Sequence, residues 1–259
     1  MPGDFVKAYA CVYRHVIPSR RERRLTEQTA TDIPLVRKYL DRYDEPDCFD
    51  DWGDDPSFFS ATEILGSADQ ATWGVCRRDV RARMKAGDFV AFFCGKQSRP
   101  QSWDYFYVGV ATIGRLLDRH VIWTDDQYAP YRDFLNILTR EVDGATQQYE
   151  FVQDFHPDWM LRAEAPYLAF DADRSHFNTH RPLWVATYEQ DHDSLERWHT
   201  EDERVQRLAR LVLPSPPTTR RLRSINRYRS HPPLNLASQA QRAGGFDCLR
   251  SELLELVEH

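Results

Sequence analysis

Two unbroken apolar runs stand near the middle of the chain, Phe89-Val90-Ala91-Phe92-Phe93 and Tyr105-Phe106-Tyr107-Val108-Gly109-Val110-Ala111. Both are of strand length and rich in aromatic and β-branched residues, so both are read as strands. The polar stretch from Gly95 to Ser102 reads as the loop between them, and two strands with no helix between them are most simply antiparallel. Ahead of them Val75, Val80 and Met84, with Cys76, recur at helical spacing, which predicts a short helix from Val75 to Ala86. Gly87 suits the left-handed residue that ends it. Asp88 is read as turn-forming, through bonds to local backbone.

The same reading extends along the chain. Val6 to Val12 predicts a first strand, Pro18 to Arg24 a charged loop, and Thr31 to Tyr43 a helix capped by Thr31 or Asp32. Asp44 to Ser57 reads as a turn-rich loop. Ala129 to Val142 has the apolar spacing of a helix, Tyr167 to Phe170 and Leu183 to Tyr188 read as strands, and Asp191 to Leu213 as one long helix. Pro214 to Pro217 breaks that helix. A short helix from Cys248 to Val257 closes the chain. The expected organisation is one domain over residues 1–190 and a helical extension over 191–259 packed on it, an α+β fold.

Composition narrows the class. With 259 residues, 41% hydrophobic, 29% charged and a mean hydropathy of -0.65, the chain has a globular profile. No apolar stretch approaches the ~20 residues that cross a bilayer, and Met1 to Val16 lacks a signal pattern, so a cytoplasmic protein with no membrane partner is expected. The five cysteines are scattered and never form a CxxC pair, which argues against a disulfide framework or a zinc site. His176 and His180 stand four apart, but Asn178 and Pro182 argue for a loop there, so no metal and no cofactor is expected. No GxSxG, Walker or dinucleotide-type glycine pattern is present.

Net charge is -6, and its distribution matters more than its sign. Asp41 to Asp55 is acidic. Three segments are basic: Arg20 to Arg24, the stretch from Arg77 to Lys85, and Arg220 to His231, where Arg220, Arg221, Arg223, Arg227 and Arg229 stand without an acid.

Trp73-Gly74-Val75, a basic helix, Met84-Lys85-Ala86-Gly87-Asp88, an apolar strand, and then Val108-Gly109-Val110-Ala111 together resemble the central motif of EVE domains. These belong to the PUA-like superfamily with YTH, ASCH and nucleotide-modification-associated domains. Cys76 stands where EVE domains have Arg, and Phe93-Cys94 where they have a Tyr-His pair. The resemblance implies a bent PUA-like β-barrel flanked by helices that binds nucleic acid and takes a modified base, flipped or single-stranded, into an aromatic pocket. Stacking is worth ~1–3 kcal/mol per base and flipping costs a few, so such a pocket needs rings inside and cations at its mouth. Trp73 is the expected pocket wall. Tyr13, Phe93, Trp103, Tyr105 and Tyr107 are candidates for the others, and Trp52 for a lid. Arg77, Arg78, Arg81 and Lys96, and further along Arg220, Arg221 and Arg227, are candidates to hold phosphates.

The expected partner is therefore nucleic acid, DNA or RNA. The region after about Asp125 either elaborates the barrel or binds a partner such as a separately encoded effector. An alternative is an enzyme acting on a modified nucleobase or nucleoside. Some ASCH domains are amidohydrolases using lysine, threonine and glutamate, for which Lys7, Lys96, Thr112 and Glu63 are available without an order. A scaffold or protein-binding domain is the third reading.

Overall fold

The hairpin built from the two apolar runs is longer than its apolar part. In the computed structural model the first strand runs from Phe89 to Arg99 and the second from Ser102 to Leu117. Lys96 pairs with Asp104, Gln97 with Trp103 and Arg99 with Ser102. The expected loop from Gly95 to Ser102 is thus mostly ladder, turned at Pro100-Gln101 with Gln101 at φ 65°. Polar residues there mark an exposed end of the hairpin, since a ladder bonds through backbone groups whatever the side chain.

The structure describes residues 6–15, 19–29, 33–51, 53–137, 139–142, 145–148, 164–190, 195–213 and 234–257. In chain order these hold β1 (Ala8–His15), α1 (Arg20–Thr29), α2 (Pro34–Tyr43), α3 (Phe58–Leu65), β2 (Thr72–Trp73), α4 (Arg78–Arg81), β3 (Phe89–Arg99), β4 (Ser102–Leu117) and α5 (Arg119–Thr124). Then follow β5 (Thr139–Val142), β6 (Ala145–Gln148), β7 (Tyr167–Phe170), β8 (His176–Phe177), β9 (Leu183–Glu189), β10 (Leu195–Trp198), α6 (Glu203–Val212), β11 (Leu234–Asn235), α7 (Ala237–Ala243) and α8 (Phe246–Glu255). The molecule is α+β, with a large mixed sheet. Among the described residues no helix is long and apolar enough to cross a membrane.

The chain divides into two compact units, with β4 running from one into the other at Thr112 and Ile113. The first unit comprises Met1–His15, Gly87–Thr112 and Arg174–His259. Its strands lie in the order β10-β9-β4-β3-β1-β11, with β8 also on β4. β1 and β3 are parallel and the other neighbours antiparallel. Asp88 accepts a 2.7 Å bond from the Lys7 amide, which ties the start of β3 to the start of β1. The path ends at β10 and β11, which do not pair among the described residues, so the sheet is open where a barrel would close.

One face of this sheet carries the unit's hydrophobic core. Phe89, Ala91, Phe93, Tyr105, Tyr107 and Val110 pack with Val205, Leu208, Val212, Leu249 and Leu253 from α6 and α8. The segment after residue 190 is therefore not a helical addition alone: it supplies two edge strands and the helices that cover the sheet. The single helix expected over 191–213 splits, because Leu195–Trp198 pairs with β9 and a new helix begins after Asp202. Asp202 accepts from the Arg204 amide, a side-chain cap of the kind that starts helices.

Gly109 shows how closely the strands approach. It has φ 155°, and a Cβ there would lie 2.1 Å from the His176 carbonyl oxygen on β8. Backbone cannot yield as a flexible side chain can. Gly109→Ala is expected to destabilise the protein by about 1–3 kcal/mol or more, the range of overpacking. A denaturant melt would show a lower midpoint with unchanged slope; an unaltered midpoint would contradict the contact.

The second unit comprises Val16–Ala86 and Ile113–Asp173. Residues 113–117 of β4 pair with β7, and β7 pairs with β2. Val36, Tyr39, Leu40 and Tyr43 of α2 pack with Phe59, Val75 and Leu135. Arg20–Thr29 is helical where a charged loop was expected from Pro18 to Arg24. Residues 126–133 and 135–137 form 3-10 turns and 139–142 a strand, where Ala129 to Val142 has helical spacing. Pro130 withholds the amide that an α-helix would need.

Candidate functional site

The helix expected from Val75 to Ala86 shrinks to Arg78–Arg81, and an aspartate holds the backbone ahead of it. Asp55 accepts from the Gly74 amide at 2.7 Å, the Val75 amide at 3.0 Å and the Cys76 amide, holding that backbone in an irregular cradle. The same carboxylate accepts from Asn136 Nδ2 at 2.9 Å. Asn136 Oδ1 in turn accepts from Tyr167, whose hydroxyl lies 2.7 Å away. Asp55, Asn136, Tyr167, Gly74 and Val75 are buried and Cys76 is half-buried. The acidic stretch before it thus turns several of its carboxylates inward, as acceptors for backbone, rather than presenting all of them to solvent.

Arg81, expected to hold phosphate, is wholly buried in the second unit. Its guanidinium donates to the Val75, Cys76, Ala165 and Pro166 carbonyl oxygens. It is a structural clamp with no face toward solvent. Arg77 and Arg78 lie nearer the surface, paired with Asp79 at 3.1 Å and Glu164 at 2.8 Å. Lys96 is half-buried near the end of β3.

The rings proposed for the aromatic slot are divided between the two units. Trp73 is 1% exposed and belongs to the second unit, whereas Tyr13, Phe93, Trp103, Tyr105 and Tyr107 belong to the first. Trp103, Tyr105 and Tyr107 do share one face, as their alternation predicts, but that face is the core under α6 and α8. Phe93 packs on Tyr107 with centroids 5.2 Å apart, and the Tyr107 hydroxyl donates to the Leu253 carbonyl at 2.9 Å. Burial pushes the Tyr105 and Tyr107 hydroxyls far above their ordinary range, so both stay neutral. Arg14 lies 4.3 Å over the Trp103 ring and covers that face. Tyr13 is buried, edge-on to Phe92. Phe93, Tyr105 and Tyr107 are thus at most 1% exposed within the first unit's core, though Tyr107 also lines the cleft beside Trp184. Of the residues offered for the alternative enzyme, Glu63 is engaged by Lys38 at 2.9 Å and the Thr112 hydroxyl by the Arg174 carbonyl at 2.7 Å. Trp52, Arg220, Arg221 and Arg227 lie outside the described residues, as do Pro214 to Pro217.

A different ring of the first unit faces solvent. Trp184 is 48% exposed, a rare state for so large an apolar side chain on a strand. Its aim follows from a bulge: Tyr105 pairs with Ala186 and Phe106 with Trp184, leaving Val185 as the extra residue of β9. A bulge re-aims the neighbouring side chain. Trp184 thereby becomes one wall of a cleft of about 270 Å³, with Arg181, Asn178, His199, Glu201 and Arg204 around it and Tyr107 and Leu256 also lining it. That is close to the lower end of small-ligand sites, which run ~300–1,000 Å³.

The cleft's second ring is fixed. His199 lies against Trp184 with centroids 4.0 Å apart at 45°. The Thr187 hydroxyl donates to Asp104 Oδ1 at 2.6 Å, so its oxygen is left to accept from His199 Nε2 at 3.2 Å. This assigns the proton to Nε2 and turns Nδ1 toward Glu201 Oε1, 3.5 Å away. Cations flank the rings. Arg204 is held by Asp202 at 2.8 Å, whereas the Arg181 guanidinium has no ion-pair partner among the described residues. Sequence reading missed this site because His199 and Glu201 fell inside a supposed helix, and Trp184 read as an ordinary strand residue. The available signal was Asp202, a helix-starting cap that would have released the residues before it.

The second unit holds a titratable group of another kind. Asp54 is fully buried, and its carboxylate accepts from the Phe59 amide at 3.0 Å, the Ser60 amide at 2.9 Å and the Ser60 hydroxyl. Burial, with Asp50 nearby, outweighs these donors and raises its pKa to about 8. A carboxyl raised in the folded state holds its proton there while the unfolded chain has lost it. The folded state is therefore favoured at low pH, and that advantage drains away as pH climbs from ~4 to ~8. The wild type is expected to lose stability across this window relative to Asp54→Asn, with a slope approaching one proton, ~1.4 kcal/mol per pH unit. Chemical denaturation at stepped pH checks this; parallel curves for the two proteins would contradict it.

No family model, curated protein or solved structure matches this chain.

Proposed function

We propose that this protein is a nucleic-acid-binding module that holds one unpaired base against Trp184. The observation that carries the reading is the exposed Trp184 ring, braced by His199 and flanked by Arg181 and Arg204. Every nucleobase has a π-face, and stacking on an aromatic side chain is the sequence-tolerant way to hold it. The guanidinium groups suit a phosphate beside the base. The resemblance of Trp73 to Ala111 to EVE domains supports the class of ligand, modified bases included, and with it a PUA-like ancestry for the fold. The site moves from the buried slot to the rim of β9. Titrating single-stranded oligonucleotides, with and without modified bases, at low salt tests the reading. Saturable binding supports it; a protein indifferent to every oligonucleotide would end it.

The alternative, an enzyme acting on a modified nucleobase, has one observation of its own. The chain Asp104–Thr187–His199 fixes an imidazole whose Nδ1 faces the cleft residue Glu201. Such a histidine could serve as a general base toward a bound base. Incubation with acylated and alkylated nucleosides, read by mass, would reveal turnover lost in His199→Gln.

A further inference from the structure

From the acceptors in the cleft wall we infer that it selects guanine, taking the N1–H and N2–H donors of that base on His199 Nδ1 and the Glu201 carboxylate. This rests on the base-stacking reading above and adds a preference that stacking alone does not supply.

A carboxylate beside the stacking ring needs a reason, because it repels the phosphates that the arginines attract. The hydrogen bonds behind His199 supply one. An ionised carboxylate accepts only, so Asp104 Oδ1 takes the single proton of the Thr187 hydroxyl at 2.6 Å. Thr187 Oγ1 then accepts the Nε2–H of His199, 3.2 Å away, and Nδ1 is left as a lone pair. Nδ1 lies 3.5 Å from Glu201 Oε1, beyond the ~2.7–3.2 Å of an N–H···O bond. Neither atom satisfies the other. Two acceptors therefore stand side by side in the wall of the cleft that Trp184 borders. Their complement is a pair of adjacent donors. Guanine carries such a pair on one edge, N1–H beside the N2 amino group. Adenine and cytosine place a single amino group next to a ring acceptor, and uracil or thymine a single N–H between two carbonyls, so each would set an acceptor against an acceptor. The third group of the guanine edge, the O6 carbonyl, needs a donor. Asn178 also lines the cleft, and its Oδ1 is taken by the Arg181 amide at 2.8 Å, which leaves Nδ2 to donate. Glu201 thus belongs to the base edge, and Arg181 remains for phosphate.

Calorimetric titration of the full chain with short single strands that carry one base, every other position being abasic, tests this. The base is guanine, hypoxanthine, adenine, cytosine or thymine in turn; hypoxanthine differs from guanine by the missing N2 amino group. The guanine strand is expected to bind roughly 5- to 150-fold more tightly than the other four, the worth of one bidentate base contact. Glu201→Ala alters a side chain that is 78% exposed, so the fold should tolerate it, and it is expected to bring guanine down to the level of the other bases. His199→Phe, which keeps a ring against Trp184 but no acceptor, is expected to do the same. If strands bind in a Trp184-dependent way without favouring guanine, if binding is seen with other oligonucleotides alone, or if Glu201→Ala keeps the preference, the guanine inference is overturned and the base-stacking reading stands. If no oligonucleotide of any kind binds, both are overturned.

Discussion

Arg81→Met is expected to unfold the protein or to lower its stability by on the order of 4 kcal/mol or more, with no selective effect on ligand binding in whatever fraction stays folded. Three backbone carbonyls, of Val75, Cys76 and Pro166, would lose their donor, while that of Ala165 would keep only Arg119, at 3.3 Å. Each buried acceptor left without a partner costs ~1–3 kcal/mol. Methionine matches much of the volume but donates nothing. Because residues 75–76 are also held by Asp55, the loss would spread through the irregular stretch that replaces a helix there. The check is a denaturation midpoint, read alongside oligonucleotide affinity at a temperature where the variant remains folded. A stable variant with weakened, less salt-sensitive binding would restore Arg81 to a phosphate-holding role and refute its placement as a clamp.

Trp184→Ala is expected to do the opposite. Its ring is half in solvent, so its removal should leave stability within about 0.5 kcal/mol. Binding of any base should weaken by ~1–3 kcal/mol, roughly 5- to 150-fold, the worth of one stacked base. Trp184→Phe should recover part of the loss, since it keeps a π-face of smaller area. Affinity and melting temperature measured on the same preparations separate the two effects. Unchanged affinity in Trp184→Ala would remove the ring from the site.

Much of the first unit's framework was legible because its strands announce themselves. Phe89 to Phe93 and Tyr105 to Ala111 are apolar on both faces, and only a central strand covered on both sides tolerates that pattern. What could not be read was which covering element sits on which face. The helices α6 and α8 fill the side where Phe93, Tyr105 and Tyr107 converge, and a ring's period along a strand does not say whether the space opposite is empty. Long-range polar contacts were equally hidden. The spacing of Val75, Val80 and Met84 is helical, yet the helix is confined to Arg78–Arg81, and Asp55, far back in the sequence, captures the amides ahead of it. Arginine clusters misled for a related reason: Arg77, Arg78 and Arg81 look alike in sequence, and only the fold separates a clamp from two surface ion pairs. Trp184 escaped notice because a bulge, not composition, aims it outward.

The most direct measurement is photocrosslinking of a single-stranded oligonucleotide to the protein, with the attached peptide located by mass spectrometry. The account predicts adducts on the peptides that hold Trp184 and His199, competed away by excess unlabelled oligonucleotide and lost in Trp184→Ala. Crosslinks confined to Trp73, Phe93 or Trp103, with Trp184 untouched, would contradict it.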